Sequence, residues 1–258
     1  MDVPQARPVP RAEEEDVRTE AIPVEPGKRV LGDLVLPRSA MGLVIFAHGS
    51  GSGRHSPRNR EVAAVLHRAR IATLLLDLLT EEEVVEDEEA QVHRFNVRLL
   101  TGRLLYSLAW ARGESPLRPL PIGLYGASTG GAAVLRAGAA EPSWVGAIVL
   151  RGARTDLAAV EVLERVQAPT LLLVGERDPP IIEVNRQALQ HLPASSVLSI
   201  VPRATHLFEE PGALSEVGRQ SRDWFLRHLP PRAERTEAGR GPIAAPRSRS
   251  VGPSVNPV

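Results

Sequence analysis

Residues 126–130 read Gly-Ala-Ser-Thr-Gly, and this stretch decides the fold. An apolar run over residues 122–126 leads into it, and residues 132–138 follow it with a helical composition. A serine between two glycines at a strand-to-helix junction is typical of a nucleophile elbow, a turn too tight for side chains two positions to either side. A small-residue turn packed against a helix is the alternative. The strand before the turn and the helix after it favour the elbow, with Ser128 as nucleophile.

Apolar runs and helical patterns alternate outward from this turn. The predicted strands are residues 43–47, 71–77, 122–126, 145–150, 170–175 and 197–201. Helical periodicity predicts helices over residues 60–69, 93–111, 184–192 and 214–229, with a further helix near 156–166. Strands that are apolar throughout and separated by helices indicate an α/β fold, with a mostly parallel, doubly wound sheet covered by helices on both faces.

Composition changes near both ends of the chain. Residues 1–27 are rich in proline and charge, which predicts a partly disordered N-terminal arm or one edge strand. Residues 28–230 are predicted to form one α/β domain. Residues 231–258 contain almost no large apolar side chain, which predicts a disordered C-terminal tail. Arginines in this tail could contact an acidic partner, although a solvated tail is the favoured interpretation.

Charge and cysteine content exclude several classes of protein. The 31 lysines and arginines balance 31 acidic residues, which favours neither a nucleic-acid nor a membrane partner. Without any cysteine, the chain has no disulfide, thiolate metal site or cysteine nucleophile. The N-terminus lacks the apolar segment of a secretory signal, and the apolar runs are too short to cross a bilayer, so we expect a cytoplasmic protein. The sequence does not predict an oligomeric state.

A serine nucleophile needs a base and an acid, because a neutral hydroxyl attacks poorly near pH 7. His206 follows the last predicted strand, and Asp178 follows the strand before it. The chain order Ser, Asp, His and the positions after strands, where parallel sheets form their ligand crevice, predict a catalytic triad. His206 would take the proton of Ser128, and Asp178 would hold the imidazole tautomer. As alternatives, a loop histidine is often a surface residue, and an aspartate after a strand often caps a helix.

Two backbone N–H groups, those of Thr129 and Ser50, are predicted to form an oxyanion hole. Thr129 begins the helix after the nucleophile, and Ser50 lies in residues 48–53, which read His-Gly-Ser-Gly-Ser-Gly after the first apolar strand. A phosphate-binding loop is the alternative. This segment lacks the Gly-Lys-Ser/Thr ending of a P-loop, and the spacer before the next helix is too long for a dinucleotide fingerprint.

These motifs resemble the dienelactone-hydrolase-like family of the α/β-hydrolase superfamily. The similarity covers about residues 30–229 and is carried by residues 46–59 (Phe-Ala-His-Gly-Ser-Gly-Ser-Gly-Arg-His-Ser-Pro-Arg-Asn), 72–82, 126–130 and 204–211 (Ala-Thr-His-Leu-Phe-Glu-Glu-Pro). It implies the α/β-hydrolase fold and hydrolysis of a carboxylic ester without a metal or organic cofactor. Dienelactone hydrolases proper resemble this pattern with a cysteine nucleophile. Because this chain has Ser128 instead, the resemblance does not extend to the dienelactone substrate.

The substrate is expected to be a small-molecule ester or lactone. No long insertion follows residue 150, so no large cap domain is predicted. Four side chains near strand ends are candidate substrate contacts: Arg54, His55, Arg58 and Arg151. An arginine could bind a substrate carboxylate, although salt bridges to the acidic residues 81–83 are an equally good interpretation. The acidic run through residue 89 could bind a cation, but a solvated loop and helix N-terminus is favoured, so no metal site is predicted.

The sequence therefore predicts a serine hydrolase that works through an acyl-enzyme. A non-catalytic binding protein on the same scaffold is an alternative, because a fold does not fix a function. Acyl transfer to a nucleophile other than water, or perhydrolysis, could use the same triad. Members of this family branch also occur fused to phosphoribosyltransferase domains, for which the 258 residues leave no room.

Overall fold

A computed structural model describes residues 15–229 of the chain. The strands in this range are β1 (Glu15–Glu25), β2 (Lys28–Pro37), β3 (Gly42–Ala47), β4 (Ile71–Leu76), β5 (Ile122–Ala127), β6 (Val145–Arg151), β7 (Thr170–Gly175) and β8 (Val197–Val201). The α-helices are α1 (Pro57–Arg68), α2 (Glu81–Ala90), α3 (Val97–Gly113), α4 (Thr129–Ala140), α5 (Val160–Leu163), α6 (Pro179–Leu189) and α7 (Ala213–His228).

Within residues 15–229, eight strands form one sheet in the order β1-β2-β4-β3-β5-β6-β7-β8. Strands β3 to β8 are parallel, whereas β1 and β2 join one edge in antiparallel pairs. Every residue of β3, β4, β5 and β7 is buried, as expected of strands covered on both faces. The predicted fold class is confirmed.

Helices cover both faces of this sheet. Helices α1 and α7 lie on one apolar cluster, in which the rings of Phe46 and Tyr125 on neighbouring strands stack with centroids 4.5 Å apart. Helices α3 and α4 cover the cluster on the opposite face. Helix α7 packs onto the sheet through Trp224 and Phe225, and Leu229, which follows the helix, is buried with them. Only a short 3-10 turn lies between β6 and α5, so no cap domain is inserted there.

The edge strand predicted as an alternative for the N-terminal arm is β1, but the sequence did not reveal the antiparallel partner β2. Residues 15–25 of the predicted N-terminal arm form β1, and β2 lies where no element was predicted. Most of β1 is exposed, and its charges pair along the strand, with the Arg18 guanidinium 2.6 Å from the Glu20 carboxylate. Residues 1–14 and the predicted tail, 231–258, lie outside the described residues.

The single helix predicted over residues 93–111 is α3, and a separate helix, α2, precedes it. Helix α2 ends at Ala90, and the next residue, Gln91, caps it in a left-handed conformation with φ 52°. Thr80 caps its N-terminus in a capping box with Glu83, a pattern that satisfies free N–H groups in the first turn. None of the described helices is both long and apolar enough to cross a lipid bilayer.

The interpretation of the acidic run as wholly solvated is wrong for two of its carboxylates. Glu83 and Asp87 are buried on the inner face of α2. The guanidinium of Arg103 donates to Glu83 over 2.6 Å, and that of Arg94 pairs with Asp87. Burying a carboxylate is costly unless it is paired and hydrogen-bonded, and both arginines come from outside α2. This helix is therefore held to the domain by ion pairs.

Candidate active site

The backbone of Ser128 is held in a strained conformation between β5 and α4. Its φ of 49° and ψ of −122° are rare for a residue with a side chain. Its N–H donates to the carbonyl of Arg151 at 3.1 Å, and its own carbonyl accepts from the N–H groups of Gly131 (3.0 Å) and Arg154 (3.1 Å). These bonds fix the turn from both sides, so the serine cannot relax into an ordinary conformation without breaking them.

The two glycines around Ser128 are needed because other backbone segments pass close to them. A Cβ on Gly126 would lie 2.6 Å from the Cα of Gly131, and one on Gly130 would lie 2.3 Å from the carbonyl oxygen of His48. Both distances are far below a van der Waals contact. The turn is therefore as tight as the Gly-x-Ser-x-Gly pattern requires.

The structure brings Ser128, Asp178 and His206 together. Asp178 stands three residues after the end of β7, and His206 lies in the loop after β8. Nδ1 of His206 is 2.6 Å from Oδ2 of Asp178, and Nε2 is 3.4 Å from Oγ of Ser128. The first contact is a short hydrogen bond, whereas the second is long, as is common for a nucleophile and its base without substrate. The side chains have the order and reach of a nucleophile, a base and an orienting acid.

The loops that carry Asp178 and His206 pack against each other. The N–H of Arg177 donates to the carbonyl of Ala204 at 2.9 Å, and a Cβ on Gly175 would lie 2.4 Å from the same oxygen. The carboxylate of Glu210 accepts the N–H of Thr205 at 3.1 Å, and this hydrogen bond holds the pKa of Glu210 below its usual range. Sequence reasoning missed Glu210, although an acid four residues after the candidate base was a usable signal. This packing sets the spacing of acid and base.

The predicted oxyanion donors border the nucleophile. Ser50 and Ser128 line one cleft of about 210 Å³. A Cβ on Gly49 would lie 3.1 Å from the Cβ of Ser128, so the loop over residues 48–52 passes directly beside the serine. Thr129 is the first residue of α4, and N–H groups in the first turn of a helix lack an intrahelical acceptor. The role of the N–H groups of Ser50 and Thr129 in binding an oxyanion stays a prediction.

His48, which sequence reasoning did not single out, anchors that loop. The N–H of Leu78 donates to Nε2 of His48 at 3.1 Å, so Nδ1 carries the proton and donates to the carbonyl of Gly49 at 2.8 Å. Burial lowers the pKa of His48, which keeps the ring neutral. The ring thus joins the start of the 48–52 loop to the segment after β4. A histidine directly between a buried strand and a glycine-rich loop was the available signal.

Acid is expected to destabilise the protein partly through His48. Because its native pKa lies below the value of about 6.5 in an unfolded chain, the unfolded state binds a proton that the native state does not, so unfolding is favoured as pH falls below about 6.5. One such group changes the free energy of unfolding by at most ~1.4 kcal/mol per pH unit. Urea unfolding of His48→Gln between about pH 5 and 6.5 should show a shallower dependence on pH. His191→Gln, at a partly exposed histidine, is the control, and an unchanged slope in His48→Gln would contradict the expectation.

Two of the four predicted substrate contacts lie away from the serine. Arg54 forms ion pairs with Asp33, at 3.2 Å, and with Asp77, and His55 lies 3.5 Å from Asp33. The adjacency of β2 and β4 places both carboxylates beside Arg54. The alternative of salt bridges to residues 81–83 is therefore wrong for Arg54, and neither Arg54 nor His55 lines the serine cleft.

Arg58 and Arg151 do line the cleft. Arg58 donates to the exposed carboxylate of Glu209 at 3.3 Å. Arg151 is 7% exposed, and its guanidinium lies over the ring of Phe208 and donates to Oδ1 of Asn59 at a long 3.5 Å. No carboxylate within residues 15–229 forms an ion pair with Arg151, and its Nε has no hydrogen-bond partner there. A positive charge therefore lies uncompensated in the wall of the cleft.

The fold and the serine at this turn place the chain in the α/β-hydrolase class. It is 47% identical to a dienelactone hydrolase from Anabaena variabilis, whose crystal structure superposes with a TM-score of 0.81 over 83% of this chain and 99% of that one. The chain belongs to the dienelactone-hydrolase-like family, which confirms the resemblance seen in its motifs. Est1E from Butyrivibrio proteoclasticus, 15% identical over 81% of this chain and 98% of its own with a TM-score of 0.69, shares the fold.

A curated relative carries a different name. The chain is 46% identical over 220 residues to a Mycobacterium tuberculosis protein with the provisional name phosphoribosyl transferase. The match covers 85% of this chain and 48% of the relative. The chain thus spans about half the length of the curated relatives it matches. No protein-family model matches the chain.

Proposed function

We propose that the protein is a serine hydrolase that cleaves a small carboxylic ester or lactone through an acyl-enzyme on Ser128. One observation carries the proposal: a single imidazole, that of His206, lies 3.4 Å from the Ser128 hydroxyl and 2.6 Å from the Asp178 carboxylate. Three side chains from three separate loops meet in this way at a strained turn. A non-catalytic binding protein has no need of that arrangement.

The reaction would proceed in two halves. His206 takes the proton of Ser128 as Oγ attacks the carbonyl carbon, and the N–H groups of Ser50 and Thr129 stabilise the oxyanion that forms. The bond to the leaving oxygen then breaks, and His206 returns the proton to that oxygen. Water then attacks the carbonyl carbon of the acyl-enzyme in the same two steps, with His206 as base and Oγ of Ser128 as the leaving oxygen, and the carboxylic acid is released. Asp178 holds the proton of the imidazole on Nδ1 and stabilises the imidazolium between the steps.

The cleft supports a small substrate. Its volume of about 210 Å³ is below the ~300–1,000 Å³ of typical ligand sites. Arg58 and Arg151 remain the proposed substrate contacts, because both line the cleft and a free carboxylate on the substrate would compensate the charge of Arg151. Comparison of neutral and acidic esters of equal size tests this point, and equal rates would contradict it.

A fluorophosphonate probe tests the proposed nucleophile. The folded protein is expected to form a stoichiometric adduct that peptide mass spectrometry places on Ser128, because only an activated serine attacks such a probe at an appreciable rate. Protein unfolded in urea is the control and should stay unlabelled. An unlabelled Ser128 in the folded protein would favour the non-catalytic binding protein. When water is the only available acceptor of the acyl group, release of the free acid from an ester distinguishes hydrolysis from acyl transfer.

A further inference from the structure

A second cavity, of about 270 Å³, lies beside the serine cleft. The two cavities share lining residues of the 48–52 loop, namely Gly49, Ser50 and Ser52. We call this second space the α2 cavity, because Val84 and Asp87 of α2 form its outer wall and Leu100 of α3 borders it. The α2 cavity and the serine cleft therefore adjoin at the loop that carries the predicted oxyanion donor.

The α2 cavity offers apolar surface to a ligand. Leu79, Val84 and Leu100 are its apolar lining residues. The charged groups Asp87 and Arg94 also line it, but they pair with each other, and the Asp87 carboxylate accepts the N–H of His93. Buried charges that are paired in this way need no partner from a ligand. The remaining acid, Glu88, is exposed to solvent.

The wall of the α2 cavity is in place before a ligand binds. The buried side chains of α2 are Glu83 and Asp87, and each is held by a cation from another segment. Arg103 and Lys28 contact Glu83 at 2.6 Å and 3.1 Å, and Arg94 pairs with Asp87. A preformed wall lowers the ordering cost of binding, so the cavity can discriminate between ligands by size.

We propose that the α2 cavity binds the apolar acyl group of the ester, an assignment that rests on the proposed function. His206 must lie beside the leaving oxygen to return its proton, and His206 lines the serine cleft but not the α2 cavity. With the carbonyl oxygen at the N–H of Ser50, the alcohol is directed toward His206. The acyl group is then directed away from His206, along the 48–52 loop whose residues line both the serine cleft and the α2 cavity. Val84 is then a specificity-determining residue.

Val84→Trp tests this assignment, with Val85→Trp as the matched control. Val84 lines the α2 cavity and is 47% exposed, whereas its neighbour Val85 does not line it and is 66% exposed, so neither substitution disturbs the core. Along a p-nitrophenyl series from acetate to hexanoate, Val84→Trp should lower kcat/KM for the hexanoate by about 10-fold or more. The readout is the ratio of kcat/KM for the hexanoate to kcat/KM for the acetate, which should fall in Val84→Trp and remain unchanged in Val85→Trp.

Two results would overturn the assignment, and a third would overturn the proposed function on which it rests. In the first, Val84→Trp lowers kcat/KM increasingly along a series of acetate esters of longer alcohols, which would place the leaving group in the α2 cavity. Equal effects of Val84→Trp and Val85→Trp would show that the cavity binds neither group. If the folded wild type hydrolyses no ester of either series, the proposed function itself fails. Wild-type activity therefore separates failure of the function from failure of the assignment.

Discussion

Replacing Ser128 with alanine is expected to lower kcat for p-nitrophenyl acetate by about 10⁴- to 10⁶-fold. The substitution removes the atom that would carry the acyl group and leaves His206 without a hydroxyl to activate. Steady-state kinetics measure the loss, and urea unfolding shows that the variant remains folded. The effect is large because the members of such a triad act as a unit, so the loss of one removes most of the contribution of all three.

Ser52→Ala is the control for this experiment. Ser52 lines the same cleft, so the substitution removes a hydroxyl of the same kind from the same space. Its kcat should remain within a few fold of the wild-type value. Activity that survives in Ser128→Ala would mean that another group is the nucleophile, and the proposed mechanism would then be wrong.

Gly130→Ala is expected to destabilise the fold by about 1–3 kcal/mol or more, and to reduce activity with it. The new Cβ would lie 2.3 Å from the carbonyl oxygen of His48 and 2.7 Å from that of Ala47. Both are backbone atoms, so α4 or the end of β3 must move. Because His48 begins the loop that carries Ser50, such a shift also displaces the predicted oxyanion donor. The urea unfolding midpoint and kcat/KM measure the two effects.

Gly102→Ala is the matched control for Gly130→Ala, and it is expected to stabilise the fold rather than to destabilise it. Gly102 lies within α3, and a Cβ there would meet nothing within 4 Å. Alanine in a helix interior is more stable than glycine by roughly 0.5–1 kcal/mol. Equal stabilities of Gly130→Ala and Gly102→Ala would show that close approach at the elbow does not determine the choice of glycine.

The sequence predicts the centre of the sheet well because those strands are buried on both faces. Strands β3 to β8 were expected within one residue of their observed bounds. For β3 to β7 the continuous apolar runs leave little ambiguity, whereas β8 is an edge strand that is only partly buried. The sequence also predicts that Ser128, Asp178 and His206 lie together, because each follows its own strand, and the structure brings the three side chains within hydrogen-bond reach. Parallel strands end at the same edge of the sheet, so positions distant in the chain are brought together by topology alone.

The remainder depends on neighbours that the sequence does not show. Arg54 was expected near the substrate, but strand order brings Asp33 and Asp77 to it instead. The burial of Glu83 could not be predicted either, since its partner Arg103 lies on another helix. Charged residues look solvated in a sequence until their partners are known. For the same reason the α2 cavity was not predicted, because an acidic helix forms its wall.

The strained backbone of Ser128 has a consequence for attempts to improve the protein. A non-glycine residue held at such a conformation costs about 1–3 kcal/mol of folding free energy, and glycine at this position would relieve that cost. Glycine would also remove the hydroxyl. Selection for heat resistance alone would therefore enrich variants that lack the proposed nucleophile at position 128. A search for more stable variants of this chain has to measure ester hydrolysis as well as the melting temperature.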